Sequence, residues 1–396
     1  MSDPGVRNYI RLLVIAGPLG LAVAYAALKY LPAPFAWLSS FIAIGCLALM
    51  VVITSSTWKA IWLNIAVIFL LLGAFEVYFY FDRAPARRDS FETRSGSPLV
   101  MSQPHDVLGY APGPGTQGVW SRVIGDDPVF RIDVSIDANG YRTMPEAESV
   151  ALPCVFFFGG SYTFGSGVND NETAPYVVAE ATAGRFRVFN LAYRGYGPHQ
   201  MLASLAEDTY SAALGCHPRV AVYQLISDHI DRAVGLASWD VNGPRYVLDE
   251  AGIAVQQGSF EKPSQESQSR LAKVINKSLT YGRLRLFLQE RPDHQGAELI
   301  QGILRRAREI VETRDSNGQF HVIYWPSSSP LMAAVIEGLE DDGFDLHPIA
   351  EILPDLAASR SRYRLHEFDG HPTGLSHRMI GEYVVREILV DETILD

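Results

Sequence analysis

The sequence predicts an α/β protein: a three-layer domain built on a mostly parallel sheet, preceded by a three-helix transmembrane anchor. Two observations carry that reading. Apolar residues make up 48% of the 396-residue chain, and they concentrate in the first eighty residues, in runs at 9–31, 34–54 and 61–81. From residue 151 on, short β-branched and aromatic runs alternate with helical stretches, the pattern of a parallel sheet covered on both faces. The chain therefore divides into an anchor at 1–82, a linker with a small β segment at 83–150, and an α/β domain at 151–396 with an insertion around 235–290.

Each apolar run has about the twenty residues that a helix needs to cross the hydrocarbon layer. The connections around Lys29 and Lys59 are short, so the expected path is up, down and up again. Nothing amphipathic separates a core face from a surface face, which disfavours a soluble helical domain. A cleaved signal peptide would explain the first run but not the next two. A lipid bilayer is the expected partner.

Orientation is contested within the sequence. With the N-terminus inside, Arg7, Arg11 and Lys59 are cytoplasmic, whereas Lys29, Arg83, Arg87 and Arg88 lie outside, so the charge count favours a cytoplasmic domain. Cys154 and Cys216, expected at the starts of neighbouring strands, leave two readings open: a disulfide in an oxidising compartment, or two buried free thiols. The expected location is the inner membrane, multi-pass, with the large domain in the periplasm. Cys46 falls inside the second apolar run.

After the anchor, HDVLGYAPGPGTQG (105–118) is rich in Pro and Gly, and VFRIDVSIDANGYRT (129–143) alternates around Asn139 and Gly140. That alternation predicts a short hairpin packed on the main domain. Strands are then expected at 154–158, 186–191, 220–226, 321–325 and, more weakly patterned, 344–348. Helices are expected at 174–183, 199–214, 298–313, 331–339 and 374–389. Residues 246–260 read as a hairpin that opens the insertion, a place where insertions commonly shape a substrate mouth.

Two segments carry chemistry. FFFGGSYTFGSG (156–167) presents Ser161 just past an apolar strand, at the carboxyl end where open α/β sheets place their ligands. FDGHPTGLSH (368–377) holds Asp369 and His371 two residues apart before a closing helix. Together they supply a nucleophile, a base and the group that orients the base. A G-x-S-x-G elbow is absent, since Thr163 stands two residues after Ser161. A phosphate loop is absent too, because the glycines are not followed by Lys. No cofactor is implied, and no His, Cys and carboxylate cluster has metal-ligand spacing. The net charge of −11, from 33 Lys and Arg against 44 Asp and Glu, with no basic cluster outside short flanks, disfavours nucleic acid as a partner.

These two blocks, together with NLAYRGYGPHQ (190–200), in which Gly195 follows Asn190 by five residues, resemble the SGNH (GDSL-type) hydrolases over most of residues 105–391. The resemblance implies a flavodoxin-like three-layer fold, a triad of Ser161, Asp369 and His371, and an oxyanion hole formed by the N–H groups of Ser161 and Gly195. The chain departs from the family in two blocks. Gly160 replaces the Asp of the first block, and YQLISDHIDR (223–232) puts Ser227 where the third block has an Asn whose side chain donates to the oxyanion. Losing such a donor can cost ~3 kcal/mol. Ser227 is the candidate third donor and His229 the other group that can fill in. Asp228, His229, His199 and Trp325 are the candidate cleft residues. Against those roles stand plainer ones: loop fixation for Asp228 and His229, a helix cap or surface position for His199, and core packing for Trp325. His377 on the last helix reads as a packing residue. The implied activity is that of a serine esterase or O-acyltransferase acting on O-acyl groups, chiefly acetyl, of a cell-envelope or exported polysaccharide. A lipid acylhydrolase and a non-catalytic polysaccharide-binding module are the alternatives, so the expected partners are an ester-bearing small molecule, polysaccharide or lipid.

Overall fold

The computed structural model describes residues 34–52, 56–82, 87–93, 102–260, 278–288 and 294–390. They form two compact units, 34–82 with 278–288, and 87–260 with 294–390.

The first unit contains helices Pro34–Val52 and Ser56–Phe81. Among the described residues only Ser56–Phe81 is long and apolar enough to cross a membrane, which corrects the expectation of three spans. The apolar part of its partner, Phe35–Leu49, covers roughly 22 Å at a helical rise of about 1.5 Å per residue, short of a hydrocarbon layer of about 30 Å. The run at 9–31 lies outside the described residues. Glu76, within the long helix, is buried. Its carboxylate accepts the backbone N–H groups of Leu279 and Thr280, both at 3.0 Å, and the Ser278 hydroxyl. A carboxylate thus caps the positive end of helix Leu279–Leu288, and this part of the insertion belongs with the apolar helices and not with the α/β domain that surrounds it in sequence.

The second unit opens with five strands: β1 Arg87–Thr93, β2 Ser102–His105, β3 Gly109–Pro112, β4 Gln117–Ile124 and β5 Asp127–Ser135. β1, β4 and β5 form an antiparallel sheet in that order, and β2 pairs with β3. The expected hairpin around Asn139 and Gly140 is therefore wrong in its partner. β5 turns back at Gly125 and Asp126 to pair with β4 from Gln117↔Ser135 to Ile124↔Asp127, because both segments alternate. The 139–140 turn closes a single bridge, Ile136↔Arg142.

The remaining strands are β6 Cys154–Gly159, β7 Arg187–Asn190, β8 Pro218–Leu225, β9 Pro244–Leu248, β10 Ala254–Ser259, β11 Gln319–Tyr324, β12 Asp345–Pro348, β13 Arg364–His366 and β14 Asp369–Pro372. Five of them make one parallel sheet in the order β7-β6-β8-β11-β12, the flavodoxin-like strand order, at the positions the apolar runs predict. β9 and β10 form the expected hairpin.

Every residue of β6 is buried, and its alternation makes the three layers. Phe156 and Phe158 face a cluster with Leu202, Ile300 and Ile303, whereas Val155 and Phe157 face Val178, Ile380 and Val384. Full burial of each such side chain stabilises the fold by roughly 1.5–3 kcal/mol. The helix expected at 199–214 is broken into Pro198–Ala206 and Ser211–Leu214. Asp208 takes a left-handed φ of 51° and its carboxylate accepts the Ser211 hydroxyl, so the first helix cannot continue. Cys154 and Cys216 are disulfide-bonded, with Cα atoms 6.6 Å apart, tying the start of β6 to the approach to β8. A third cluster joins Trp120, Ile132 and Val134 to Phe164, Ala192, Tyr193 and Tyr196. It packs the β4–β5 layer against the loops that follow β6 and β7, at the carboxyl edge of the parallel sheet.

Candidate active site

The turn after β6 is held from three sides. The Thr163 hydroxyl donates to the Gln224 side-chain oxygen at 2.9 Å, and the Asn190 amide donates to the Thr163 carbonyl at 3.2 Å while its oxygen accepts the Ala192 N–H. Arg142, fully buried, donates to the carbonyls of Phe164, Gly165 and Val168 at 2.6–2.7 Å and to Asp170 at 2.9 Å. Gly160 explains itself here. A Cβ at that position would lie 2.7 Å from Arg232 Nη1, 2.9 Å from the Tyr196 carbonyl and 3.1 Å from His229 Nε2, so these groups occupy the space that a side chain would need.

Ser161 begins a short helical turn at the end of β6, and its hydroxyl lies 2.8 Å from His371 Nε2. Asp369 and His371 share β14, and residues two apart on a strand point to one face. Hence Asp369 Oδ1 accepts both the backbone N–H of His371, at 3.2 Å, and its ring Nδ1–H. With Nδ1 donating, Nε2 is left to accept the serine proton. Asp369 is 1% exposed, whereas the His371 side chain keeps 19% exposure, so the base is reachable and its orienting group is sealed.

Asp369 Oδ2 has a second partner, Arg122 Nη1 at 2.8 Å. Arg122 comes from β4, and Asp89 of β1 grips its other edge at 2.6 and 3.0 Å. Burial by itself would raise the Asp369 pKa. The hydrogen bonds and charge of His371, together with the Arg122 hydrogen bond, outweigh burial and hold the carboxyl well below the usual range. The Tyr162 ring lies 5.2 Å from the His371 ring and 5.1 Å from Trp325. Burial pushes the Tyr162 hydroxyl up to about 12, so it stays protonated.

The oxyanion candidates sit on the loops after β6, β7 and β8. Gly195 has φ of 81°, and a Cβ there would come within 2.5 Å of Trp239 Nε1 and 2.6 Å of the Tyr110 hydroxyl, so only glycine brings this backbone into place. Ser227 is half-buried and its hydroxyl makes no capping bond to the helix Asp228–Ala233. His229 is buried. Its Nδ1 accepts the Tyr223 hydroxyl at 2.7 Å and the Ile226 N–H, which leaves the hydrogen on Nε2, the atom beside Gly160, where it has no partner. Burial first, then Arg232 and His199, keep His229 neutral by lowering its pKa far below the ordinary value.

The four cleft candidates divide. Asp228 is exposed and pairs loosely with Arg232 at 3.8 Å. His199, His229 and Trp325 are buried, and Trp325 borders an open hollow with Pro326, Met332 and Ile336. His199 Nε2 bonds Asp240 Oδ2 at 2.7 Å, and Gln200 donates to the same oxygen at 2.8 Å. His377 is buried on the last helix and accepts the Ala174 N–H. Burial, with Arg142 and His371 nearby, lowers its pKa to about 3. The sequence reading missed Arg122 and Arg142 in any site role. Both come from the segment before the α/β domain, and Arg122 meets a partner 247 positions away in the chain, a distance over which periodicity carries no signal. The one available hint was an arginine inside the apolar alternation of VWSRVI.

No family model matches the chain, and no curated protein matches it. Among solved structures it is similar to a lipolytic protein of the G-D-S-L family from Desulfitobacterium hafniense, at 12% identity over 59% of this chain and 98% of that one, with a TM-score of 0.30. It is also similar to a carbohydrate esterase whose active site displays divergent catalytic and non-catalytic binding functions, at 9% identity over 79% and 100% of the two chains and a TM-score of 0.34. A third is an acetyl xylan esterase from the rumen bacterium Butyrivibrio proteoclasticus, at 12% identity over 62% and 64%, with a TM-score of 0.32. Likenesses this loose assign neither family nor activity, and the chemistry rests on the geometry of the site.

Proposed function

We propose that this chain is a membrane-anchored serine esterase or O-acyltransferase acting on O-acetyl groups of a cell-envelope or exported polysaccharide. The observation that carries this reading is the unbroken hydrogen-bond line from buried Asp369 through His371 to Ser161 Oγ at the carboxyl edge of the sheet. As Ser161 attacks the ester carbonyl, His371 Nε2 takes the hydroxyl proton and Asp369 stabilises the imidazolium that forms. The N–H groups of Ser161 and Gly195 donate to the oxyanion, with Ser227 or His229 as the third donor. His371 then returns the proton to the departing alcohol, and the acyl-serine passes its acyl group to water or to a sugar hydroxyl. An assembled triad supports a catalyst over a binding module.

The Cys154–Cys216 bond supports an oxidising compartment for the second unit. Arg87 and Arg88, which argue for the cytoplasm, begin β1 of that folded unit, and we take the disulfide as the stronger argument. We therefore place the catalytic unit in the periplasm, and a C-terminal alkaline phosphatase fusion is expected to be active; an inactive fusion alongside a bright cytoplasmic fluorescent one reverses the topology. The enzymatic reading is tested by a fluorophosphonate probe on the full chain. Labelling of the wild type and none of Ser161→Ala is expected, and equal labelling of both removes Ser161 as nucleophile. Incubation with 4-nitrophenyl acetate and a sugar acceptor, following phenol and acetylated sugar together, separates hydrolysis from transfer.

A further inference from the structure

A cation beside the oxyanion turn takes no part in the triad. Phe91 on β1 and Trp120 on β4 are direct cross-strand partners, and their rings stack with centroids 5.4 Å apart and planes 9° from parallel. The Arg194 guanidinium lies over this shelf, 4.7 Å from the Trp120 centroid, 5.2 Å from Phe91 and 5.7 Å from Tyr193. A guanidinium held against aromatic rings keeps its N–H groups available to another partner. Among the described residues the Arg194 side chain makes no hydrogen bond and no ion pair, although it is half-buried.

Three other arginines around the site are engaged, whereas Arg364, on β13 beside Gly370, has a buried Nε without a partner. Arg122 holds Asp89 and Asp369, Arg142 holds Asp170 and three carbonyls, and Arg232 donates to the Tyr196 carbonyl. The chain carries eleven more acidic than basic side chains, and what sets Arg194 apart is the aromatic shelf beneath it. Its location gives it a use. Arg194 directly precedes Gly195, the oxyanion candidate, and it shares the Trp120 ring with Arg122, whose guanidinium lies 5.6 Å from that centroid and reaches the triad aspartate. Arg194 thus adjoins the oxyanion candidate in the chain and Arg122 through the Trp120 ring, with its fork unfilled.

We propose that Arg194 binds an anionic group, a carboxylate or a phosphate, carried by the acylated substrate. The substrate class becomes an acidic ester, such as an O-acetylated uronic-acid oligosaccharide, in place of a neutral one. This rests on the esterase reading above and adds its charge selectivity. A guanidinium fork takes two anionic oxygens side by side, and the aromatic shelf removes water from one of its faces, which strengthens the pairing.

The test compares full-chain protein in detergent on O-acetylated galacturonate oligosaccharides, an O-acetylated hexose phosphate and O-acetylated xylo-oligosaccharides. Wild type is expected to show the higher kcat/KM on one of the two acidic substrates, and which one identifies carboxylate or phosphate. Arg194→Gln is expected to reduce the acidic-to-neutral ratio of kcat/KM by about 10–100-fold, the range for a lost charge-assisted hydrogen bond, chiefly through KM. Arg194→Lys retains the charge without the fork and falls between. Binding is read separately by calorimetry on Ser161→Ala protein with de-acetylated galacturonate oligosaccharide and with hexose phosphate, so that the result does not depend on turnover. Equal proportional losses on acidic and neutral esters in Arg194→Gln overturn the proposal and make Arg194 a strut for the shelf, as does failure of Ser161→Ala protein to bind either anion. Anion binding that needs Arg194, in a wild type that hydrolyses no ester, supports this site and sinks the esterase reading instead.

Discussion

Among the described residues two histidine–carboxylate pairs are hydrogen-bonded, Asp369–His371 and Asp240–His199, and their difference shows what turns such a pair into a candidate catalyst. In the first, the carboxylate binds Nδ1, so that Nε2 points outward to Ser161 at 2.8 Å. In the second, the carboxylate binds Nε2, Nδ1 has no partner, and neither side chain is exposed at all. A Cβ on Gly197 would lie 2.8 Å from that Nδ1 and one on Gly243 2.1 Å from Asp240 Oδ1, so backbone seals both free atoms. Burial lowers the His199 pKa against the pull of Asp240, which keeps the ring neutral. The second pair ties the helix Pro198–Ala206 to the turn before β9. The same two residue types therefore give a proton acceptor where the outer nitrogen meets a hydroxyl, and a structural tie where it meets backbone.

The largest effects should separate the pairs. His371→Ala and Asp369→Asn are each expected to lower kcat on 4-nitrophenyl acetate by about 10⁴-fold, with little further loss when combined, because the triad acts as a unit. Asp240→Asn is expected to leave kcat within a few-fold but to cost about 1.5–3 kcal/mol of stability in urea, since a buried carboxylate loses its charge-assisted hydrogen bond from His199. The comparison breaks if Asp240→Asn loses as much rate as Asp369→Asn.

Arg122→Gln sharpens it, because this arginine belongs to one pair alone. Without it, Asp369 stays bonded to His371 but loses the partner on Oδ2. A fall in kcat of about tenfold is expected from looser positioning, with roughly 2–4 kcal/mol of stability at pH 7. The sign with pH follows from Asp369, whose folded pKa is depressed below an unfolded value of about 3.9. Its stabilisation is fully present above that value and is lost as pH falls toward the folded pKa. Urea midpoints of wild type and variant should therefore keep their gap down to about pH 4 and draw together only as acid protonates Asp369 in the folded proteins, and a gap already lost between about pH 7 and pH 5 removes the Arg122–Asp369 contact as its source.

The smallest effect concerns the third oxyanion donor. Ser227→Asn is expected to hold or raise kcat on a small ester by up to about tenfold, and Ser227→Ala to lower it a few-fold, consistent with one hydrogen bond gained or lost. Identical rates in the three proteins move the role to His229 Nε2, which already carries an unpartnered hydrogen beside Gly160.

The chain's sequence determined much of this protein by itself. The apolar run CVFFFG reads as a buried strand, so the parallel core and the placement of Ser161 at its end follow from composition and period. The Asp-x-His spacing was legible, whereas the strand that puts both side chains on one face, β14, emerged only from its pairing with β13. Tertiary structure alone decided the rest. Arg122, Asp89 and Arg142 act on the site through contacts between segments far apart in the chain, and a strand reads the same whether its arginine meets solvent or a buried aspartate. The apolar runs at 34–54 and 61–81 likewise signalled helices by hydropathy but not their count as spans, because length in the folded helix decides that. Between the two pairs, which histidine keeps an open nitrogen was set by what packs against it: a serine hydroxyl on one side, backbone at glycine on the other.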